Sequence, residues 1–355
     1  MSNLKRFQNA LADHDGALIS SELNQRYLSD FPFSDGYILV TKNNAFLLTD
    51  SRYIEAARAT VTELEVVLPN VGMLDTLRSL VSELGLKKLA IEESSMTVAS
   101  FDNLKKSFDN CSLSGGASKI LTELRSVKTS EELDRIEKAQ AITDAAFDHI
   151  LGYINPERTE LDVALELEFF MRSHGADGIA FDTIAVSGSA SSLPHGVPSN
   201  VKLRRGFLTM DFGAKYKGYC SDMTRTVVIG KADDDMKKLY NTVLSAQKKA
   251  LDGICDGILC KDADALARDV IREGGYGQNF GHSLGHGVGL FIHESPSLSP
   301  RAAETSRLTR GNVVTVEPGI YIEGKYGCRI EDMIAIGHDG KVRNFTKSSK
   351  ALIEI

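Results

Sequence analysis

The chain has 355 residues, is 42% apolar and 25% charged, and carries a formal net charge of −7, the profile of a globular protein with room for two cores. The negative balance argues against a general polyanion binder, because nucleic-acid affinity rests on clustered Lys and Arg, and no apolar run approaches the ~18–20 residues of a membrane span; neither partner is expected. The five cysteines include no CxxC pair and the N-terminus lacks the apolar core of a secretory signal, so they read as reduced thiols in a cytoplasmic protein.

Residues 1–124 alternate strand-like and helix-like stretches. Segments 37–40 and 45–48 flank Lys42-Asn43-Asn44, which predicts a hairpin. Segments 64–68 and 88–91 read as further strands, and 73–84 and 95–108 as helices. A small α/β domain with a mixed sheet follows. Its single histidine, His14, signals little chemistry. Residues 109–118 are small and polar, and the domain boundary is placed just beyond them, giving domains 1–124 and 125–355.

Long helices open the second domain. Thr129 with Glu132 forms a capping box, and Ile136, Ala139, Ala146 and Ile150 share one face at helical spacing. Thr159 caps a second helix that runs to Ser173 and stops at Gly175. Asp233-Asp234-Asp235 opens a third, where acidic residues suit the N-terminal dipole, with Leu239, Val243, Ala246 and Ala250 on one side. A fourth spans 263–273 and ends at Gly274-Gly275. Strands are expected at 207–212, 218–229, 313–317, 320–322 and 329–336. The predicted class is α+β, with an antiparallel sheet covered by helices on one face, and no short-period repeat is visible.

The chemistry gathers in the second domain. Three of the eight histidines, His282, His286 and His293, fall within residues 280–296. Glycines 281, 285, 287 and 289 make a helix there costly, by about 1 kcal/mol each against Ala. The stretch reads as a Gly-rich turn leading into a strand at 288–292. Imidazoles on a backbone able to approach something closely suggest a metal site or a proton relay. Two acidic pairs accompany them. Asp211 and Asp222 lie on strands meeting around 213–218, which brings them together across the ladder. Glu317 and Glu331 repeat the pattern inside mostly apolar strands, where a bare carboxylate is expensive to bury.

Charge favours metal. Four carboxylates contribute −4, and two divalent cations contribute +4, so a dinuclear site is near neutral. Oxygen-rich ligation with one neutral imidazole and no thiolate suits Mn²⁺, Co²⁺ or Zn²⁺ better than Cu⁺. Taken singly, each acid or histidine is more often a cap, an ion-pair partner or a core residue, and Cys220 and Cys328 read as small core residues. Their joint placement on strand-like segments points to metal.

These motifs resemble the pita-bread metallopeptidases, the family of methionine aminopeptidase, aminopeptidase P and prolidase. The five ligand positions of that family match Asp211, Asp222, His286, Glu317 and Glu331, in the contexts Gly-His-Gly-Val-Gly, Glu-Pro-Gly and Arg-Ile-Glu-Asp. The likeness covers about 125–355 and extends less distinctly over 1–124, where 48–57 is similar to the creatinase-type N-terminal domain. Phe181-Asp-Thr-Ile-Ala-Val-Ser-Gly, Leu193-Pro-His195-Gly, His282 and Arg329 are similar to the proline-specific branch.

The resemblance implies a C-terminal pita-bread fold behind a smaller creatinase-type α/β domain, two divalent metals with Mn²⁺ preferred, and a homodimer. It implies hydrolysis of the bond between an N-terminal residue and proline in peptides with proline at position 2. Glu317 would take the proton of the attacking water while also binding metal. His195 and His293 would hydrogen-bond the substrate and the developing oxyanion. His282, Tyr321 and Phe181 would shape the proline pocket, and Arg329 would contact substrate or pair with a carboxylate beside the metals. Xaa-Pro aminopeptidase is slightly preferred over Xaa-Pro dipeptidase, which differs by accepting only dipeptides. A non-catalytic binding protein of this fold and a creatinase-like amidinohydrolase are the other classes; the intact ligand set and substrate histidines count against both.

Overall fold

Short strands, buried at the centre of the sheet and more exposed at its two edges, build the first unit, Met1–Arg125. The computed structural model describes residues 1–108 and 110–355; Asp109, in the polar stretch 109–118, lies outside them. The six strands run in the order Glu65–Val67, Ala45–Leu48, Tyr37–Thr41, Gly16–Ile19, Lys88–Ile91, Ser112–Gly115. The hairpin around residues 42–44 forms as expected, and the sheet is mixed: Gly16–Ile19 pairs antiparallel with Tyr37–Thr41 and parallel with Lys88–Ile91. Within the polar stretch, Ser112–Gly115 is an edge strand parallel to Lys88–Ile91. At four residues it is short, which suits an edge where only one side of the ladder is paired.

The second unit, Ser126–Ile355, is built twice over. Ser130–Tyr153 begins behind Thr129, whose side chain accepts from the Glu132 amide while Glu132 accepts from the Thr129 amide. Glu160–Ser173 begins the same way behind Thr159 and Asp162. One hundred positions later come Asp234–Gly253 and Cys260–Glu273. Gly175 and Gly275 close the two pairs at φ +100° and +89°, conformations that suit glycine at a helix end. The fourth helix starts three residues before its expected position. Each pair covers its own core. Ala146, Phe147, Ile150 and Leu167 pack on Leu208, Met210 and Val227, whereas Leu239, Val243, Ala246 and Ala267 pack on Val314, Val316 and Ile334.

The expected antiparallel sheet is divided into smaller antiparallel sheets. Gly206–Phe212 lies between Ile184–Ser187 and Met223–Ile229. Val313–Val316 lies between Gly285–Gly287 and Asp332–Ile336, with Glu294–Leu298 and Val342–Asn344 outside. The division falls inside two predicted strands. Segment 218–229 breaks between Tyr219–Cys220 and Met223–Ile229, and segment 329–336 breaks between Tyr326–Arg329 and Asp332–Ile336. In both, the chain leaves one sheet and enters another, which apolar content alone does not reveal. The predicted strand 288–292 is absent. The paired residues are Gly285–Gly287, and 289–293 bend instead, with the Gly289 amide donating to Phe291 O at 3.1 Å. Among the described residues no helix is long and apolar enough to cross a membrane.

Candidate active site

The two strand breaks place the acids. Asp222 and Glu331 each occupy the last position of a break, immediately before the strands Met223–Ile229 and Asp332–Ile336. Asp211 is the penultimate residue of Gly206–Phe212, and Glu317 directly follows Val313–Val316. Asp211 therefore faces Thr224 in the ladder, and Asp222 sits just past the end of the pairing rather than opposite Asp211. Asp211, Asp222 and Glu331 offer oxygens that lie within 4.8 Å of one another. Such convergence needs close backbone approach. At Gly213 a Cβ would stand 2.0 Å from Ser221 O, so only glycine lets the residue before Asp222 cross there.

His286 completes the group from the opposite core. Its strand is flanked by Gly285 and Gly287, where a Cβ would meet Thr315 O at 2.0 Å and Ser295 O at 2.3 Å. The His286 Nδ1 pairs with Gly287 O at 3.1 Å. With the proton on that nitrogen, Nε2 presents a lone pair. It faces Asp222 Oδ2 and Glu317 Oε1, each at 3.5 Å. Three acceptors aimed at one another repel unless protons or cations lie among them. Asp211 Oδ1 is likewise buried with no hydrogen-bond partner. Burial and the neighbouring acids hold the carboxyls of Asp222 and Glu331 well above the ordinary range, and burial pushes Glu317 up to about 8. Burial also lowers His286, which favours the neutral imidazole. The donor set fits divalent cations: oxygen-rich, with one neutral nitrogen and an excess of buried negative charge.

One buried cation stands beside this cluster. Arg329 donates to Asp211 Oδ2 at 2.7 Å, to Thr224 Oγ1 at 2.9 Å and to the Tyr321 hydroxyl at 2.7 Å. Burial opposes its charge, yet Tyr321, Asp211, Glu317 and Glu331 outweigh that and hold its pKa well above the usual value. Thr224 passes the connection on by donating to Glu331 Oε2 at 2.7 Å. Of the two roles expected for Arg329, the pairing with a carboxylate is the one its geometry displays.

Above the acids lies a cleft of about 590 Å³, within the range of small-ligand sites. Phe181, His195, His282, His286 and His293 line it with all four carboxylates and Arg329. The rings of His286 and His293 stand 4.4 Å apart, edge to face. Burial lowers His293, with His286 and His195 adding to the effect, and burial with Arg329 pulls His282 down to about 4. Tyr321 stands behind the lining residues. Its hydroxyl joins His282 Nε2, at 3.1 Å, to Arg329, so it steadies two residues of the wall from behind. Thr224 and Thr315, which hydrogen-bond Glu331 and Glu317, carried no signal in the sequence.

Residues 134–338 match the description of metallopeptidase family M24, and residues 3–127 match the creatinase/prolidase N-terminal domain. The chain belongs to metallopeptidase family M24. It is thus a peptidase with the pita-bread fold behind a creatinase-type domain, as the resemblance implied. Across 341 residues this M24 chain is 39% identical to the Xaa-Pro dipeptidase of Pyrococcus horikoshii, covering 96% of this chain and 94% of that one. The solved Xaa-Pro dipeptidase from Bacillus anthracis superposes with a TM-score of 0.95 at 43% identity over 99% of both chains. An X-Pro aminopeptidase from Thermotoga maritima MSB8 gives 0.92 at 38% identity, over 98% of this chain and 99% of that chain.

Proposed function

We propose that the protein is a metal-dependent Xaa-Pro dipeptidase. The observation that carries this reading is the cleft in which four carboxylates and His286 meet a wall holding His195, His282, His293 and Phe181. The reading reverses the slight preference drawn from sequence, because the names of the Pyrococcus horikoshii and Bacillus anthracis proteins support the dipeptidase. Xaa-Pro aminopeptidase remains the second reading, favoured by the Thermotoga maritima structure.

Asp211, Asp222, His286, Glu317 and Glu331 would hold two divalent ions, with Mn²⁺ the expected metal for so oxygen-rich a set. Water activation and carbonyl polarisation are the chemistry that such ions supply when bound. Glu317 accepts the proton from the attacking water, a role open to a carboxylate held at the wall of the cleft beside the other acids. His195 and His293 donate to the substrate carbonyl as negative charge develops, and one relays the proton taken up by Glu317 to the prolyl nitrogen as it leaves. Phe181 and His282 enclose the proline ring, with Tyr321 fixing the His282 ring. Arg329 keeps Asp211 oriented through their 2.7 Å contact.

Release of the N-terminal alanine from Ala-Pro, compared with Ala-Pro-Ala and Ala-Ala-Ala in Mn²⁺-supplemented buffer, tests the reading. Cleavage of Ala-Pro alone is expected. Comparable cleavage of Ala-Pro-Ala would transfer the assignment to the aminopeptidase, and turnover of Ala-Ala-Ala alone would end the proline specificity.

A further inference from the structure

Glu294 follows His293 directly, and its carboxylate bonds within the bend and to Lys128. Its Oε1 accepts the Phe291 amide at 2.9 Å, and its Oε2 lies 3.4 Å from the Lys128 ammonium. It also rests against the bare Cα of Gly289, where a Cβ would come within 2.5 Å of Oε2. The bend 289–293 is therefore wrapped around one carboxylate, and His293 is its last residue. On its other side the bend is held by the Cys220 amide, which donates to Gly289 O at 2.8 Å two residues before Asp222.

The two charged side chains are almost wholly buried, Lys128 at 1% and Glu294 at 4% exposure. A buried ammonium is tolerated only where its charge is compensated. Lys128 is also fixed along the backbone, its amide donating to Gly311 O at 2.8 Å just ahead of the Thr129 cap. A rigid helix start thus anchors the far end of the pair, and the near end is Glu294, where the bend 289–293 passes into the strand Glu294–Leu298.

We propose that Lys128, acting through Glu294, is a positioning residue that sets the His293 ring over the cleft. The proposal rests on the role assigned to His293 above. A merely structural pair would alter melting and leave turnover per folded, metal-loaded molecule unchanged. A positioning pair alters kcat, because a group displaced by about 1 Å from its reacting partner loses up to about 100-fold in rate.

The test uses the full chain at matched metal content, with Lys128→Met and Glu294→Gln as parallel variants so that either suffices if the other fails to fold. Each is expected to lower kcat on Ala-Pro about 10- to 100-fold with KM changed by less than about threefold. In a His293→Ala background the same changes should cost less than about twofold, since residues acting as a unit are not additive. Hydrogen exchange of the Phe291 amide, which needs no substrate, should speed up at least about tenfold while amides of Val313–Val316 keep their protection. Unchanged Phe291 exchange overturns the proposal, as does an equal loss of kcat with and without His293. Wild-type protein inert toward every Xaa-Pro peptide would sink the substrate reading instead, leaving the exchange result to judge the bend.

Discussion

Asp222 sets function against stability in one side chain. It is 4% exposed, its Oδ2 faces the His286 lone pair, and Asp211 and Glu331 crowd its other side. Burial raises its pKa first, and Glu331, Asp211 and Glu317 add to that. Without metal the ionised group is a liability; in the proposed metal site it would be a ligand. Asp222→Asn removes the charge and keeps the shape. The variant is expected to lose peptidase activity by roughly a thousandfold, the scale of deleting a preorganised charge-stabilising group, and to hold less metal after dialysis. Its metal-free melting temperature should equal or exceed that of the wild type, because relieving buried like charges stabilises a fold. Wild-type turnover at normal metal content, measured by elemental analysis, would remove Asp222 from the site.

Helices were the most legible elements and strand ends the least. A capping box is a local contract between residues three apart, so Thr129-Ser-Glu-Glu132 could be read without knowing the fold, and both of its hydrogen bonds form. Thr129→Ala should cost about 1 kcal/mol, which in a unit of this size lowers the melting temperature by about 2–4 °C. Calorimetry showing no shift would mean that packing on Ile136, Ala139 and Ile150 alone sets the helix start. Strand Gly16–Ile19 escaped notice because four residues buried on both faces show no alternation. The breaks before Asp222 and Glu331 escaped because a strand that changes sheets keeps its apolar content. The strand expected at 288–292 came from Val288, Leu290 and Ile292, three buried apolar residues; a carboxylate from Glu294 organises that segment as a bend instead. The acids and His286 were legible because charged residues inside apolar strands need a physical reason. Thr224, Thr315 and Lys128 were not, since an uncharged hydroxyl or a lone lysine looks ordinary until its neighbours are known.

At the scale of the whole molecule, metal binding and folding are one equilibrium. In the metal-free protein the folded pKa values of Asp222, Glu317 and Glu331 lie above their ordinary ones, with Glu317 at about 8. Such groups keep a proton in the folded state that the unfolded chain releases. Their contribution to stability is fully present below the ordinary carboxylate range and is lost as pH rises through the folded values. Metal bound by the proposed ligands reverses the trend, because those acids must be ionised to bind it and binding displaces their protons. The increment in melting temperature given by saturating Mn²⁺ over chelated protein should therefore grow from pH 5 to pH 8. Scanning fluorimetry at several pH values, with and without chelator, measures that increment directly, and the difference cancels groups that titrate identically in both forms. An increment that stays flat over this window would mean that the acids are already ionised without metal, and that something other than a divalent ion satisfies the cluster around Asp211.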